Sequence, residues 1–84
     1  MNGYEAAKKW IDLGFLKKRK TINTEMSSYG LKHVAEEYMG IYIKNEEFIK
    51  AMIDSGYKAH QTRFMRQTKS PNCFFNISLK GVKA

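Results

Sequence analysis

The spacing of apolar residues along the chain predicts three helices, followed by a region with a different period. In three segments, apolar side chains recur every three to four positions, which is the repeat of an amphipathic helix. Each segment reaches a glycine, which tolerates the left-handed conformation that often ends a helix. The predicted helices are residues 5–16 with Gly14 as a stop, a segment from Ser27 or Ser28 to Gly40, and a segment from the N-cap Asn45 to Gly56.

The second predicted helix has the clearest amphipathic pattern. Its apolar residues should form one buried stripe, which consists of Leu31, Val34, Ala35, Tyr38 and Met39. The charged residues Lys32, Glu36 and Glu37 are expected to face solvent. Lys32 and Glu36 lie four residues apart, so they can pair on that exposed face.

After the third helix, apolar residues recur at every second position, which predicts strands. The clearest strand contains Cys73, Phe75, Ile77 and Leu79, alternating with Phe74, Asn76, Ser78 and Lys80. The expected partner strand contains Tyr57, Ala59, Gln61 and Arg63. Residues 66–72 include the only proline of the chain and turn-forming Ser and Asn, so they are the predicted hairpin loop. The polar residues 17–27 are the predicted main loop.

These elements predict a single α+β domain over residues 1–84. Three helices followed by a C-terminal β-hairpin is the order of a winged helix-turn-helix, so we expect a winged-helix-like fold, although other α+β domains share this order. A hydrophobic share of 43% suffices for one small core. No apolar run approaches the about 20 residues that cross a bilayer. Residues 1–16 also lack a signal-peptide pattern, so we expect a cytoplasmic protein.

No catalytic or metal-binding motif is recognisable in the sequence. His33, His60 and Cys73 stand apart, without the spacing of a zinc site or a catalytic pair. The glutamates at 36–37 and 46–47 are adjacent, and neighbouring side chains on a helix diverge by about 100°, so they do not converge on one substrate bond. We therefore expect no enzymatic activity, no cofactor and no metal.

The net charge of +7 is unevenly distributed along the chain. Residues 1–20 carry six basic and two acidic side chains, a balance of +4. Residues 21–57 carry three basic and six acidic side chains, a balance of −3. Residues 58–84 carry six basic side chains and no acid. Two basic ends flank an acidic middle, which indicates a polyanionic partner for the ends.

Basic side chains from both ends are the predicted contacts to nucleic acid. They are Lys17, Lys18, Arg19 and Lys20 in the predicted loop, and Arg63, Arg66 and Lys69 on the hairpin. Such side chains neutralise phosphates without reading sequence, and an exposed Phe64 or Phe74 could stack on bases. The third helix is poorly suited to be a DNA-recognition helix, because Glu46 and Glu47 at its start would face phosphates.

Residues 27–79 resemble a family of small proteins of phages, prophages and other mobile elements. The shared pattern is S-Y-G-x-K-H, a Tyr, N-x-x-F-I-x-A, G-[YF] and P-N-x-x-x-N-I. It matches Ser28, Tyr29, Gly30, Lys32, His33, Tyr42, Asn45, Phe48, Ile49, Ala51, Gly56, Tyr57, Pro71, Asn72, Asn76 and Ile77. The resemblance implies a mobile-element context, in which small proteins are often DNA-binding regulators or inhibitors of host defence, anti-CRISPR proteins among them.

The same resemblance marks four polar positions that helical periodicity does not require: Tyr29, His33, Asn72 and Asn76. Tyr29 and His33 are four residues apart on one helix face, so they could hydrogen-bond the hairpin near Asn72 or Asn76. Such a polar clasp is one interpretation, and a ligand site is the other.

Two functions remain open from the sequence. The first is a non-enzymatic accessory protein that binds DNA, RNA or a host nucleoprotein complex through its basic surface. The second is an anti-CRISPR-like protein that inhibits a host defence complex by direct protein contact.

Overall fold

The computed structural model describes residues 1–79, which form four helices and one three-stranded antiparallel sheet. In chain order the elements are α1 (Gly3–Asp12), β1 (Lys17–Asn23), α2 (Ser28–Met39), α3 (Asn45–Asp54), β2 (Ala59–His60), α4 (Arg63–Gln67) and β3 (Phe74–Ser78). The predicted α+β class and the three main helices are confirmed. Lys80, which the alternation assigned to the last strand, lies outside the described residues.

Helix α1 begins with a capping box and ends before a left-handed glycine. Asn2 Oδ1 accepts a hydrogen bond from the Glu5 backbone N–H over 2.8 Å, and Glu5 Oε1 accepts one from the Asn2 N–H over 3.3 Å. These two bonds satisfy N–H groups that lack partners within the helix, so α1 starts before the predicted residue 5. It stops at Asp12 because Gly14 has a φ of +86°.

The segment predicted as the main loop, residues 17–27, contains strand β1 over Lys17–Asn23. Its pairing partners on β3 are Lys17 with Ser78, Lys18 with Ile77 and Asn23 with Phe75. The loop prediction was wrong because the strand lies at a sheet edge and exposes its first five side chains. Hydrogen bonding to β3 holds such a strand, so its sequence needs no alternation of apolar residues.

Strands β2 and β3 pair antiparallel, as the hairpin prediction required, but the hairpin differs in its details. β2 has two residues instead of the seven predicted, and helix α4 occupies residues 63–67, so of the predicted loop over 66–72 only residues 68–72 are loop. Thr62 caps α4, because its hydroxyl accepts a hydrogen bond from the Met65 N–H over 3.2 Å. The sheet order is β1-β3-β2, so β3 is the central strand.

The core joins the helices to one face of the sheet through three buried aromatic rings. Trp10 of α1 and Phe48 of α3 have ring centroids 6.0 Å apart, and Phe48 and Phe75 of β3 have centroids 6.2 Å apart. Ile77, two residues after Phe75, is also fully buried. Because side chains alternate along a strand, β3 presents its other face away from this core.

Helix α2 departs from the predicted pattern at two positions. Lys32, expected to face solvent, is only 6% exposed, and Tyr38, expected in the buried stripe, is 60% exposed. Tyr38 packs the edge of its ring against Phe15, with centroids 5.1 Å apart. Lys32 is buried because two tyrosine rings and a carboxylate surround its ammonium group.

Asn45, the predicted N-cap of α3, is instead the first residue of that helix. Lys44 occupies the cap position, where its backbone N–H donates to Glu47 Oε1 over 2.9 Å. The Asn45 side chain donates to the Pro71 carbonyl over 3.3 Å and to Asn72 Oδ1 over 3.0 Å. The start of α3 is thereby attached to the β2–β3 connection.

Candidate nucleic-acid interface

A basic cleft lies where β1 faces the chain that leads into β2. Its volume is about 520 Å³, and its five lining residues are Lys18, Arg19, Lys20, Lys58 and Asn76. Among the described residues, no carboxylate lines it. Four positive side chains around one cleft create a local potential that attracts anions.

An irregular, four-residue bulge in β1 shapes the basic cleft. Lys18 pairs with Ile77 and Asn23 with Phe75, so the four residues 19–22 lie opposite Asn76 alone. Extra residues in one strand bend it and interrupt its ladder of hydrogen bonds. The bulge therefore turns part of the basic run away from regular pairing.

The side chain of Asn76 connects both neighbouring strands across this gap. Its Nδ2 donates to the Arg19 carbonyl over 3.0 Å, and its Oδ1 accepts from the Lys58 N–H over 2.7 Å. Asn76 is only 5% exposed. An amide has both a donor and an acceptor, so one buried side chain satisfies a carbonyl on β1 and an N–H next to β2.

Two carbonyl groups of the bulge, those of Thr21 and Ile22, have a partner within β1. The Arg19 guanidinium donates from Nε to the Thr21 carbonyl over 3.1 Å and from Nη2 to the Ile22 carbonyl over 3.4 Å. Asn23 Nδ2 donates to the Ile77 carbonyl over 3.1 Å. These bonds fix the backbone of the bulge, while Arg19 itself remains exposed.

Lys18 and Lys20 play different parts in the basic cleft. The Lys18 ammonium lies 5.1 Å from the centroid of the Tyr57 ring, which anchors it by a cation–π contact. Burial raises the pKa of the Tyr57 hydroxyl, so the ring stays uncharged beside the lysine. Lys20 and Lys58 are exposed and are available to an anion.

The second group of predicted contacts lies on the β2–β3 connection. Arg63 and Arg66 belong to α4, Lys69 follows it, and all three are exposed. Arg66 Nη1 donates to the Gln61 carbonyl over 2.7 Å. Gln61 Nε2 in turn donates to the carbonyl of Ser70 over 2.8 Å, which closes the base of the connection.

The two groups of basic residues lie towards opposite ends of β3. Lys17 pairs with Ser78, whereas His60, three residues before α4, pairs with Phe74. The two pairs are four residue steps apart along β3, a length of roughly 13 Å. The sequence did not reveal that Lys58 joins Lys18–Lys20, although the basic C-terminal segment begins at Lys58.

The predicted polar clasp is corrected by the observed hydrogen bonds. Tyr29 and His33 pack against each other, with ring centroids 4.4 Å apart, and His33 Nδ1 lies 3.0 Å from Glu36 Oε2. Asn72 Oδ1 accepts from Asn45, while Asn76 contacts the two strands beside it. The four residues therefore do not form one cluster.

A different residue, Ser28, attaches the start of α2 to Cys73, the residue immediately before β3. Its backbone N–H donates to the Cys73 carbonyl over 2.7 Å, and its Oγ accepts from the Cys73 N–H over 3.1 Å. Ser28 is fully buried. Burial raises the pKa of the Cys73 thiol to about 11, although a hydrogen bond with Ser28 acts in the opposite direction. The thiol is therefore neutral at neutral pH.

A second surface feature surrounds the buried Lys32. Its ammonium lies 5.3 Å from the Tyr29 ring centroid and 5.0 Å from that of Tyr42, and it donates to Glu36 Oε1 over 2.9 Å. Burial by itself would raise the pKa of Glu36. Hydrogen bonds from Lys32, the Ile43 N–H and His33 outweigh that effect and hold the pKa of Glu36 below its usual value.

An acidic pocket of about 370 Å³ adjoins the ion pair of Lys32 and Glu36. It is lined by His33, Glu36, Glu37, Gly40, Ile41 and Tyr42. The Tyr42 ring is 69% exposed, and Glu37 is exposed at the same surface. An aromatic ring beside carboxylates is suited to a cationic side chain of a partner.

Within residues 1–79, no three His, Cys, Asp or Glu side chains are grouped closely enough to hold a metal ion. None of the helices in this range has the length and apolar character to cross a bilayer. Comparison of the chain with family models, curated proteins and solved structures finds no match.

Proposed function

We propose that this protein is a non-enzymatic nucleic-acid-binding protein that contacts phosphates through the basic cleft. The observation that carries this proposal is the convergence of Lys18, Arg19, Lys20 and Lys58 on one cleft without a lining carboxylate. Contacts between such side chains and phosphates supply affinity that falls steeply with salt. The exposed Lys20 and Lys58 supply the direct contacts, and Asn76 holds their strands in place.

The arrangement of elements supports a winged-helix fold as part of this proposal. Helices α1, α2 and α3 precede the paired strands β2 and β3, as expected for a winged helix, and the additional strand β1, between α1 and α2, joins them in a sheet of order β1-β3-β2. Helices α2 and α3 then correspond to the helix-turn-helix. The β2–β3 connection corresponds to the wing, and in this chain the wing contains the extra helix α4.

The geometry of α3 favours binding through the sheet and the wing instead of through the usual recognition helix. Asn45 at the start of α3 is bonded to Pro71 and Asn72, so its amide is not free to contact a base. Glu46 is exposed beside it and would repel phosphates. The start of α3 therefore carries negative charge where phosphates would lie, and its Asn45 side chain is already hydrogen-bonded within the protein.

The resemblance to mobile-element proteins gives this function a biological setting. We propose a phage-type accessory protein whose partner is DNA, RNA or a host nucleoprotein complex. The uneven charge of the chain supports a polyanionic partner, because residues 58–79 carry four basic side chains and no acid.

A salt titration with paired variants tests the basic cleft. Binding of a labelled oligonucleotide is measured by fluorescence anisotropy between about 50 and 200 mM salt. The Lys20→Gln, Lys58→Gln double variant should bind more weakly, and its salt slope should fall by roughly 0.7 to 0.9 for each phosphate that is no longer neutralised. The matched control, Lys9→Gln with Lys44→Gln, removes the same charge from exposed positions in α1 and before α3, outside the cleft.

The result separates a site from a general charge effect. If both double variants lose the same affinity, net charge alone accounts for binding and the cleft has no special role. If the wild-type protein does not bind oligonucleotides at low salt, the proposed function is rejected.

The acidic pocket beside Tyr42 favours a second candidate function, inhibition of a host defence complex by direct protein contact. Exposed tyrosine is typical of protein interfaces, and the neighbouring Glu37 suits a basic partner surface. A pull-down from nuclease-treated host lysate tests it with two variants. Retention that is lost in Tyr42→Ala but kept in the Lys20→Gln, Lys58→Gln variant supports this candidate, and the reverse pattern rejects it.

A further inference from the structure

The side chain of Phe64 is the most exposed large apolar side chain among the described residues, at 73% exposure. It lies in the first turn of α4, a helix in which no residue is buried. Phe64 therefore makes no contribution to the core that would explain an aromatic ring at this position. Water-exposed aromatic rings of this kind often contact a partner.

The position of Phe64 is well defined by local bonds. Thr62 caps the helix, and the Thr68 hydroxyl donates to the Phe64 carbonyl over 2.9 Å. The base of the connection is closed by Gln61, which donates to the Ser70 and Asn72 carbonyls over 2.8 and 2.9 Å. A ring presented on a preorganised turn loses little conformational entropy on binding.

The chain segment around Phe64 carries only basic and neutral side chains. Arg63 precedes it, Arg66 lies two residues later, and both are exposed. Residues 58–79 contain no carboxylate. A ligand that offers a flat apolar ring next to a negative charge complements this pairing, and a nucleotide has both groups.

We propose that the ligand is single-stranded nucleic acid and that Phe64 stacks on one of its bases. This inference rests on the proposed function, and it names the form of the ligand. A base exposes its full face only when it is unstacked, which single strands permit and a duplex resists. We place the path of this strand from the basic cleft along the β3 face opposite the core towards α4. The pairs Lys17–Ser78 and His60–Phe74, near the two ends of this path, lie roughly 13 Å apart along the sheet.

Other residues on this path fit the same ligand. His60 and Phe74 are paired across β2 and β3, so their side chains share one face of the sheet. Phe74 is half-buried and alternates with the core residue Phe75, which places it on the face away from the core. The path between the two basic groups thus carries a further aromatic ring and a histidine.

Binding of a 15-mer oligothymidylate, a 15-mer oligouridylate and a hairpin duplex tests the proposal. The Phe64→Ala variant should lose roughly 5- to 150-fold in affinity for the single strands, which is the effect of removing one base stack. Its salt slope should stay unchanged, because every phosphate contact is kept. Phe64→Tyr should retain affinity, whereas Phe64→Leu, which is apolar but cannot stack, should resemble Phe64→Ala.

A tryptophan variant gives a direct signal. In Phe64→Trp, oligonucleotide stacking should quench the fluorescence of the new side chain, while Trp10, only 1% exposed, provides a constant background. The matched control is Tyr38→Ala, which removes an aromatic side chain that is 60% exposed on α2, outside both candidate sites, and should leave oligonucleotide binding unchanged. Circular dichroism should show the wild-type fold for both variants.

Four outcomes would overturn the proposal. Equal affinity of wild type and Phe64→Ala for single strands would show that Phe64 does not stack on a base, but it would leave the proposed function intact. Tighter binding of the duplex, weakened by Phe64→Ala, would assign the ring to a groove wedge instead. Phe64-dependent binding to phosphatidylserine vesicles without oligonucleotide binding would assign α4 to a membrane surface. Absence of all oligonucleotide binding by the wild type would reject the proposed function as well.

Discussion

The buried amide of Asn76 donates to the backbone carbonyl of Arg19 over 3.0 Å, and this bond holds the bulge of β1 against the central strand. The same side chain accepts from the Lys58 N–H, so both walls of the basic cleft depend on one residue. A strand that is itself exposed thereby acquires a fixed position.

We expect Asn76→Ala to lower the free energy of unfolding by about 1–3 kcal/mol, because it removes two part-buried hydrogen bonds to backbone groups. The same variant should weaken oligonucleotide binding, since the hydrogen bonds that hold the backbone of Arg19 and Lys58 on either side of the cleft are lost. Urea unfolding measures the first effect, and Ser78→Ala, on the same strand, is the control. A stability equal to that of the wild type would show that water replaces the amide without cost.

Ser27 and Ser28 form a matched pair for a test of the α2–β3 connection. Ser28→Ala removes a buried acceptor from the Cys73 N–H, so we expect a loss of about 1–3 kcal/mol in the free energy of unfolding. Ser27 occupies the N-cap position but makes no side-chain capping bond. Ser27→Ala should therefore change stability much less, and similar losses in both variants would contradict this assignment.

Glu36 should make stability depend on acidity. Its pKa is lower in the folded protein than its usual value near 4.5, so its stabilising effect is present above that value and is lost as the pH falls through the folded pKa. We expect Glu36→Gln to show a weaker loss of stability than the wild type on acidification below about pH 4.5. Unfolding free energies measured at a series of pH values test this.

The control for that experiment is Glu37→Gln, which removes the same charge from an exposed neighbouring residue. It measures the effect of net charge on the acid dependence. If both variants change the acid dependence equally, the bonds from Lys32, Ile43 and His33 to Glu36 have no specific role.

Cys73 should resist alkylation in the folded protein. The residue is 4% exposed, and burial raises the pKa of its thiol to about 11, so very little reactive thiolate forms at pH 8. We expect slow reaction with iodoacetamide under native conditions and rapid reaction in denaturant, followed by mass spectrometry. Rapid labelling of the native protein would show that the α2–β3 contact opens frequently.

The helices and the central strand could be predicted because the spacing of apolar residues in each segment reflects which of its side chains are buried. The alternation from Cys73 to Leu79 and the glycines after the helices are local signals, and they located β3, α2 and α3 correctly. The predicted loop over 17–27 failed because an exposed edge strand has no such pattern. Helix α4 has no buried face and therefore left no periodic signal either.

The candidate site was predictable in composition but not in arrangement. The sequence identified the basic run at 17–20 and the basic side chains near α4, yet it treated them as one patch. The register of β3 decides that the two groups lie towards opposite ends of the sheet and that Lys58 joins the first. The pairing of strands that are far apart in the chain cannot be predicted from the local spacing of apolar residues.

By itself, the sequence determined the fold class, the helical segments, the buried strand and the strong positive charge of both ends. The tertiary structure alone decided that β1 is a strand, that Lys32 is buried between Tyr29 and Tyr42, and that Phe64 is exposed. The reason is physical: local patterns reflect which face of an element is apolar, whereas these features depend on contacts between segments that meet only after folding.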